Sequence, residues 1–156
     1  MSFDTANGTR GARQPDTGLF MRTLNKIATS RIKKNGKFFG GMDALLLTTV
    51  GRKTGVERTS PLGYLKKPDG TYLVVASAAG APKNPAWYYN LAAAPDKARI
   101  QIADRIIEVT AEQLQGEERE STWREIVALA PKMGEYQSKT DRQLPVIRLT
   151  PRAGRA

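Results

Sequence analysis

The sequence contains no cysteine and no histidine. These two absences exclude disulfides, thiolate nucleophiles, Cys/His zinc sites and every Ser-His or Cys-His catalytic pair. Acids are few, 15 against 25 lysines and arginines. They are also scattered, so a metal site built from carboxylates alone lacks its cluster. Apolar runs such as Ala44-Leu45-Leu46-Leu47 fall far short of the roughly 20 residues that span a bilayer. Met1 to Asp16 has no apolar stretch before Leu19, so an export signal would lack its central region. The expectation is a basic, intracellular domain without intrinsic hydrolytic or metal chemistry.

What is present is an ordinary globular balance, 40% hydrophobic and 26% charged over 156 residues, a length that fits one domain. The net charge of +10 favours polyanionic partners: nucleic acid, anionic lipid or a phosphorylated cofactor. The basic residues gather at Arg22 to Lys34, at Arg52, Lys53 and Arg58, at Lys66-Lys67 and near the C-terminus. They form no single recognition helix, and paired aromatic platforms of the RNA-reading kind are missing. Nucleic acid therefore rests on charge alone and is the weaker reading.

Residues 1–17 are polar and rich in Gly, Thr, Arg and Asp, which predicts a flexible segment. Residues 18–34 read as a basic amphipathic helix. Phe20, Leu24, Ile27, Ala28 and Ile32 share one face, Asp16 or Thr17 can cap the start, and Asn35-Gly36 ends it. Such a helix either covers the protein body or meets an anionic membrane surface.

The middle predicts antiparallel strands at Ala44–Val50, Val56–Leu65 and Thr71–Ser77, joined as a three-stranded meander. Asn84-Pro85 predicts a helix start, with Ala86 to Ala94 following. A hairpin over Lys97–Ala103 and Arg105–Glu112, a helix over Gly116–Ala130 stopped by Pro131, and a strand over Leu144–Thr150 complete the pattern. The fold class is mainly β (α+β): about six antiparallel strands with three helices, arranged as a barrel.

Two stretches could carry chemistry. Gly51-Arg52-Lys53-Thr54-Gly55 is a glycine-bounded turn, not a Walker loop. With Arg58 and Ser60 on one face of the next strand, it can hold a phosphate by charge-assisted hydrogen bonds. In Pro82-Lys83-Asn84-Pro85-Ala86-Trp87-Tyr88-Tyr89-Asn90 three aromatics crowd one helical turn. They cannot all face the core, so at least one lines a pocket or an interface.

Leu46 to Gly55, Arg58, Pro61-Leu62, Val75-Ala76-Ser77, Lys83-Asn84-Pro85-x-Trp87-Tyr88-x-Asn90-Leu91, Ala94-Pro95 and Tyr136-Gln137-Ser138-x-Thr140-Asp141-Arg142 together resemble the deazaflavin-dependent nitroreductase family. The match runs over roughly residues 44–150 with order and spacing kept. It implies an FMN-binding-like split β-barrel over residues 40–156 and binding of coenzyme F420, an 8-hydroxy-5-deazaflavin with a phosphate and an oligoglutamate tail. It further implies hydride transfer from the reduced coenzyme to a conjugated acceptor: a quinone, an enone or a nitro compound. A chain without His or Cys needs such a borrowed reagent.

By the same resemblance, Arg52, Lys53 and Arg58 hold the phosphate and tail. Pro61, Leu62, Ala76 and Ser77 border the deazaflavin, with Ser77 nearest the reacting edge. Trp87 and Asn90 wall the pocket, and Tyr136 faces the substrate, where it steers an acceptor or supplies a proton. Gly63, Ala78, Ala130 and Met133 depart from the nitroimidazole-reducing members, which carry a tyrosine, a lysine and aromatics there. The cofactor half of the resemblance is thus intact and the substrate half thinned.

The weaker alternatives are FMN on the same barrel, a deazaflavin carrier without turnover, and a nucleic-acid binder. The expected location is the cytoplasm, with a peripheral membrane contact through the basic helix. A homodimer is the assembly to test.

Overall fold

Strand β1 (Ala44–Val50) is buried on both faces, which explains why its sequence is continuously apolar rather than alternating. Leu45 and Leu47 enter the main core, while Ala44 and Leu46 meet Ile32 from the opposite side. The computed structural model describes residues 3–12, 19–36 and 43–152, with the side chains of residues 19–25 outside that description. The proposed cap at Asp16 or Thr17 and the side chains of Phe20, Arg22 and Leu24 lie outside the described residues.

Helix α1 (Leu19–Asn35) precedes β1 and ends at Gly36. Then follow β2 (Glu57–Gly63), β3 (Leu65–Lys66), β4 (Tyr72–Val75), a single 3₁₀ turn at Ala78–Gly80 and α2 (Ala86–Ala93). Strands β5 (Ala98–Ile102) and β6 (Arg105–Gln113) form a hairpin. Helices α3 (Gly116–Leu129) and α4 (Pro131–Lys139) lead to β7 (Val146–Pro151).

The seven strands form one antiparallel sheet in the order β2-β1-β5-β6-β7-β4-β3. Strands β2 and β3 stand at its two ends, yet only Tyr64 separates them in the chain. A sheet whose outermost strands are consecutive must curl until its edges approach, and the curl makes the barrel. The inner face is filled by Leu45, Leu47, Tyr72, Val74, Trp87, Tyr88, Leu91, Ile100, Val109, Ile147 and Leu149. A second cluster, Leu73, Leu114, Ile126 and Val146, packs with Trp123 and Met133 on the outer face.

Three expectations change. The segment Val56–Leu65 is not one strand, and the meander does not form. Strand β2 pairs with β1, whereas β4 pairs with β3 and β7. Pro131 does stop α3, because the residue before a proline is driven out of the helical region. It also opens α4 as a first-turn proline, so the described residues form four α-helices and seven strands. Finally, α2 starts at Ala86 with Pro85 at its cap position, and the Asn84 side chain is spent elsewhere.

The basic helix is part of the fold. Ala28 and Ile32 are buried against β1, while Lys26, Ile27, Arg31, Lys33 and Lys34 face outward. Among the described residues no helix is long and apolar enough to cross a membrane.

Candidate functional site

The β1–β2 hairpin places Thr49 opposite Arg58 and leads directly into the Gly51–Gly55 turn. Asn90 reaches up from α2 to this corner. Its amide nitrogen donates to Thr49 Oγ1 at 3.1 Å, and its oxygen accepts the Arg52 backbone N–H at 3.1 Å. Asn90 is buried, so these bonds are shielded from water and restrain the turn. The Arg52 guanidinium lies over the Tyr89 ring, 5.1 Å from its centroid.

Arg52, Lys53 and Arg58 are exposed, and none pairs with a carboxylate among the described residues. Other cations are neutralised in place, as Arg99 is by Glu57 at 2.6 Å and Arg148 by Glu118 at 2.8 Å. Three unneutralised cations at one hairpin corner suit an anionic group. The donor set therefore fits a phosphate and a polycarboxylate tail.

The second part of the site follows β4. Ala76 is buried in the barrel core, and Ser77 is half-buried with its hydroxyl unbonded among the described residues. The chain then enters three left-handed residues, Ala78 (φ 45°), Ala79 (φ 55°) and Gly80 (φ 83°). For an alanine this conformation costs about 1–2 kcal/mol, so something must enforce it. Gly80 is required sterically as well, since a Cβ there would stand 2.8 Å from the Tyr136 carbonyl oxygen. This contact seats the turn against the Tyr136 backbone in α4.

Arg142, 2% exposed, bonds both flanks of this turn. Its Nη1 donates to Ala76 O (2.8 Å) and Asn84 Oδ1 (2.7 Å), and its Nη2 to Ser77 O (2.8 Å) and Ala81 O (3.0 Å). Its Nε donates to Ala81 O at 3.2 Å. These bonds use all five donors of the guanidinium. Burial pulls its pKa below the usual arginine range.

Residues 3–12 lie across the outside of the same loop. Gly8 N–H donates to Pro82 O (2.7 Å), Ala12 N–H to Gly80 O (2.9 Å), and Asn84 Nδ2 to Thr5 O (2.9 Å). Asn7 Oδ1 accepts from Asn84 N–H and from the Tyr89 hydroxyl. Asp141 accepts from the backbone of Thr9 and Arg10 and from the Thr9 hydroxyl. Those bonds hold its carboxyl down at about 2. A polar stretch expected to be flexible is thus tied along the body by hydrogen bonds. Tyr88 is buried beneath it, donating to Gln113 Oε1 at 2.6 Å, and burial pushes its phenol up.

Arg52, Lys53, Arg58 and Asn90 thus gather at one corner, and Ala76, Ser77 and Tyr136 at the loop. Helix α2 joins them, since its eight residues bridge roughly 12 Å. Leu62 packs against the main core. Pro61 pairs with Leu46 and so lies on the opposite, α1-covered face of β2. Trp87, 7% exposed, belongs to the main core. Of the three crowded aromatics, Tyr89 meets the surface, linking Arg52 to Asn7. In sequence Asn84 reads as a helix cap and Arg142 has no role of its own, whereas the structure joins the two. A lone arginine among Asp141 and Gln143, and an asparagine between Lys83 and Pro85, look solvated in sequence.

The curled antiparallel sheet is a split barrel, and its cationic hairpin corner suits an anionic cofactor. The model of the F420H(2)-dependent quinone reductase family matches residues 20–151. The chain is 39% identical over 116 residues to F420H(2)-dependent quinone reductase Rv1261c of Mycobacterium tuberculosis, covering 72% of this chain and 76% of that protein. A solved F420-H2 dependent reductase, FDR-A, is 42% identical with a TM-score of 0.61, over 68% of this chain and 92% of its own. A structure described as a domain-swapped dimer is 40% identical with a TM-score of 0.63, over 80% and 95%. The chain belongs to the F420H(2)-dependent quinone reductase family. It is by that membership an oxidoreductase that uses reduced coenzyme F420.

Proposed function

We propose that this protein reduces a quinone with Arg52, Lys53 and Arg58 anchoring the coenzyme and Ser77 and Tyr136 facing the reaction. The bound reduced deazaflavin supplies a hydride. The three cations hold phosphate and carboxylates by charge and hydrogen bonds, and Asn90 keeps the Arg52 turn in place. Leu62 and Ser77 border the rings, with Ala76 packed behind Ser77, Pro61 contributing backbone and Trp87 supporting the wall from the core. The Ser77 hydroxyl orients the reacting edge. The Tyr136 hydroxyl donates the proton that a quinone needs after accepting hydride.

The observation carrying this reading is the set of three cations left without carboxylate partners beside Asn90. It favours a long anionic tail over the single phosphate of FMN, and catalysis over carriage is supported by the Ser77 and Tyr136 hydroxyls, which are unbonded among the described residues. A competition titration tests it. Coenzyme F420 should displace FMN, and its affinity should fall when the oligoglutamate tail is removed or salt is raised. Equal or tighter FMN binding overturns it.

The exposed cations of α1 fit peripheral contact with an anionic membrane from the cytoplasm, where a lipid-soluble quinone would be met. A homodimer is the proposed assembly, supported by the relative described as a domain-swapped dimer and tested by light scattering.

A further inference from the structure

Arg142 is buried and, among the described residues, has no carboxylate at its guanidinium; its neighbour Asp141 is spent on Thr9 and Arg10. A buried charge is retained only if its donors are satisfied. Here the acceptors are the carbonyls of Ala76, Ser77 and Ala81 and the side chain of Asn84. All four belong to the segment that runs from the end of β4 to the start of α2. That segment contains the left-handed Ala78 and Ala79, which do not adopt such a turn unaided. Residues 7–12 close over its outer side through Gly8, Ala12 and Asn7. The loop is therefore gripped from both sides, and the grip from within is a single planar fork.

We propose that Arg142 is a positioning residue: by bonding the carbonyls on both sides of the Ala78–Gly80 turn, it holds Ser77 in its working place in the site. This rests on the reading of Ser77 as the hydroxyl that orients the reacting edge. Arg142 touches neither coenzyme nor acceptor in this account, and acts through the Ser77 carbonyl and the turn behind it. Lysine cannot replace it. Its three donors on one atom cannot reach carbonyls distributed around a plane, whereas the arginine fork has five at fixed angles. Asn84 is the second half of the device. Its oxygen accepts from Arg142 while its nitrogen donates to Thr5 O, so it couples the inner grip to the outer strap.

The test compares Arg142→Lys, Asn84→Ser and Ser77→Ala in the full chain. The first readout is amide hydrogen exchange without coenzyme. In Arg142→Lys, the amides of Gly80 and Ala81, which bond Ser77 O and Ala78 O, should exchange at least tenfold faster. The amides of β5 and β6 should be unchanged. The second readout is a split between binding and turnover. Turnover at saturation should fall about tenfold, while the dissociation constant for coenzyme F420 moves less than threefold, because Arg52, Lys53 and Arg58 are untouched. If Arg142→Lys does not fold, Asn84→Ser carries the same measurements, with smaller changes of the same sign.

Loss of protection throughout the sheet would make Arg142 a general core residue and overturn the proposal. So would a loosened turn with unchanged turnover, if Ser77→Ala does lower turnover. Unchanged turnover in Ser77→Ala, with the turn's exchange as in wild type, overturns instead the reading of Ser77 on which the proposal rests.

Discussion

Asn90 holds Arg52 by the backbone: its amide oxygen accepts the Arg52 N–H at 3.1 Å while its nitrogen donates to Thr49 at 3.1 Å. One buried side chain thus joins α2, β1 and the cationic turn. Asn90→Ala should cut both bonds and free the turn. A net hydrogen bond is worth about 0.5–1.5 kcal/mol, so coenzyme affinity should weaken by about tenfold, measured by fluorescence titration. Turnover at saturating coenzyme should stay within about twofold.

Arg58→Ala should weaken the coenzyme by about 1.5–3 kcal/mol, the usual worth of a hydrogen bond to a charged group. Saturated turnover should change little, because a residue at the tail end contributes mainly uniform binding. Steady-state kinetics with a separate binding titration checks the division. A large fall in turnover at saturation would place Arg58 at the reacting edge.

Tyr136→Phe should show the reverse. It removes only the hydroxyl, so coenzyme affinity holds and turnover falls. Loss of general-acid help typically costs about 10²–10⁴-fold. The expected fall lies at the small end, because Ala130 and Met133 leave this side less enclosed than aromatics would and solvent can supply protons. Unchanged turnover with the best quinone reduces Tyr136 to a wall residue.

Much of the barrel is legible in sequence because its signals are local. Ala44–Val50 is a continuous apolar run, and the β5–β6 hairpin alternates around Asp104. The break at Tyr64 is not legible. Gly63 beside it can equally lie inside a strand, and only closure of the sheet puts Gly63 and Leu65 at opposite ends. Pro131 carries a double meaning, stop and start, that composition cannot separate. In the site, Arg52, Lys53 and Arg58 stand out because charge clusters at a glycine-bounded turn. Arg142 does not, since its backbone partners are carbonyls 61 or more residues away. The strap of residues 3–12 is held by polar bonds and by the apolar contact of Phe3 with Tyr88, which leave no hydrophobic periodicity to read.

Asp141 sets the pH range of that strap. Its carboxyl is lowered from 3.8 to about 2, first by the Thr9 hydroxyl and then by the Arg10 and Thr9 amides. A depressed carboxyl stabilises the folded state above its unfolded value and loses that contribution as pH falls through the folded one. The Thr9 and Arg10 amides should therefore stay protected at and above about pH 4 and open between about 4 and 2, followed by hydrogen exchange. Asp141→Asn should leave them unprotected at neutral pH.

The outer face of α1 is separable from its inner face. Ile32, fully buried, anchors the helix to Ala44 and Leu46, so Ile32→Ala should cost about 2–4 kcal/mol in denaturant unfolding. Lys26→Glu, Lys33→Glu and Lys34→Glu together should abolish binding to anionic vesicles and spare coenzyme binding. Vesicle flotation unchanged by the three reversals would remove the membrane contact.

The central claim is that the protein passes hydride from reduced coenzyme F420 to a quinone. The direct measurement is anaerobic turnover of the purified protein with reduced coenzyme F420 and a naphthoquinone, followed by deazaflavin absorbance. The account predicts catalytic, mole-for-mole oxidation of the coenzyme that reduced FMN does not replace. Tight binding of the deazaflavin with no oxidation by any quinone, or equal turnover with reduced FMN, would contradict it.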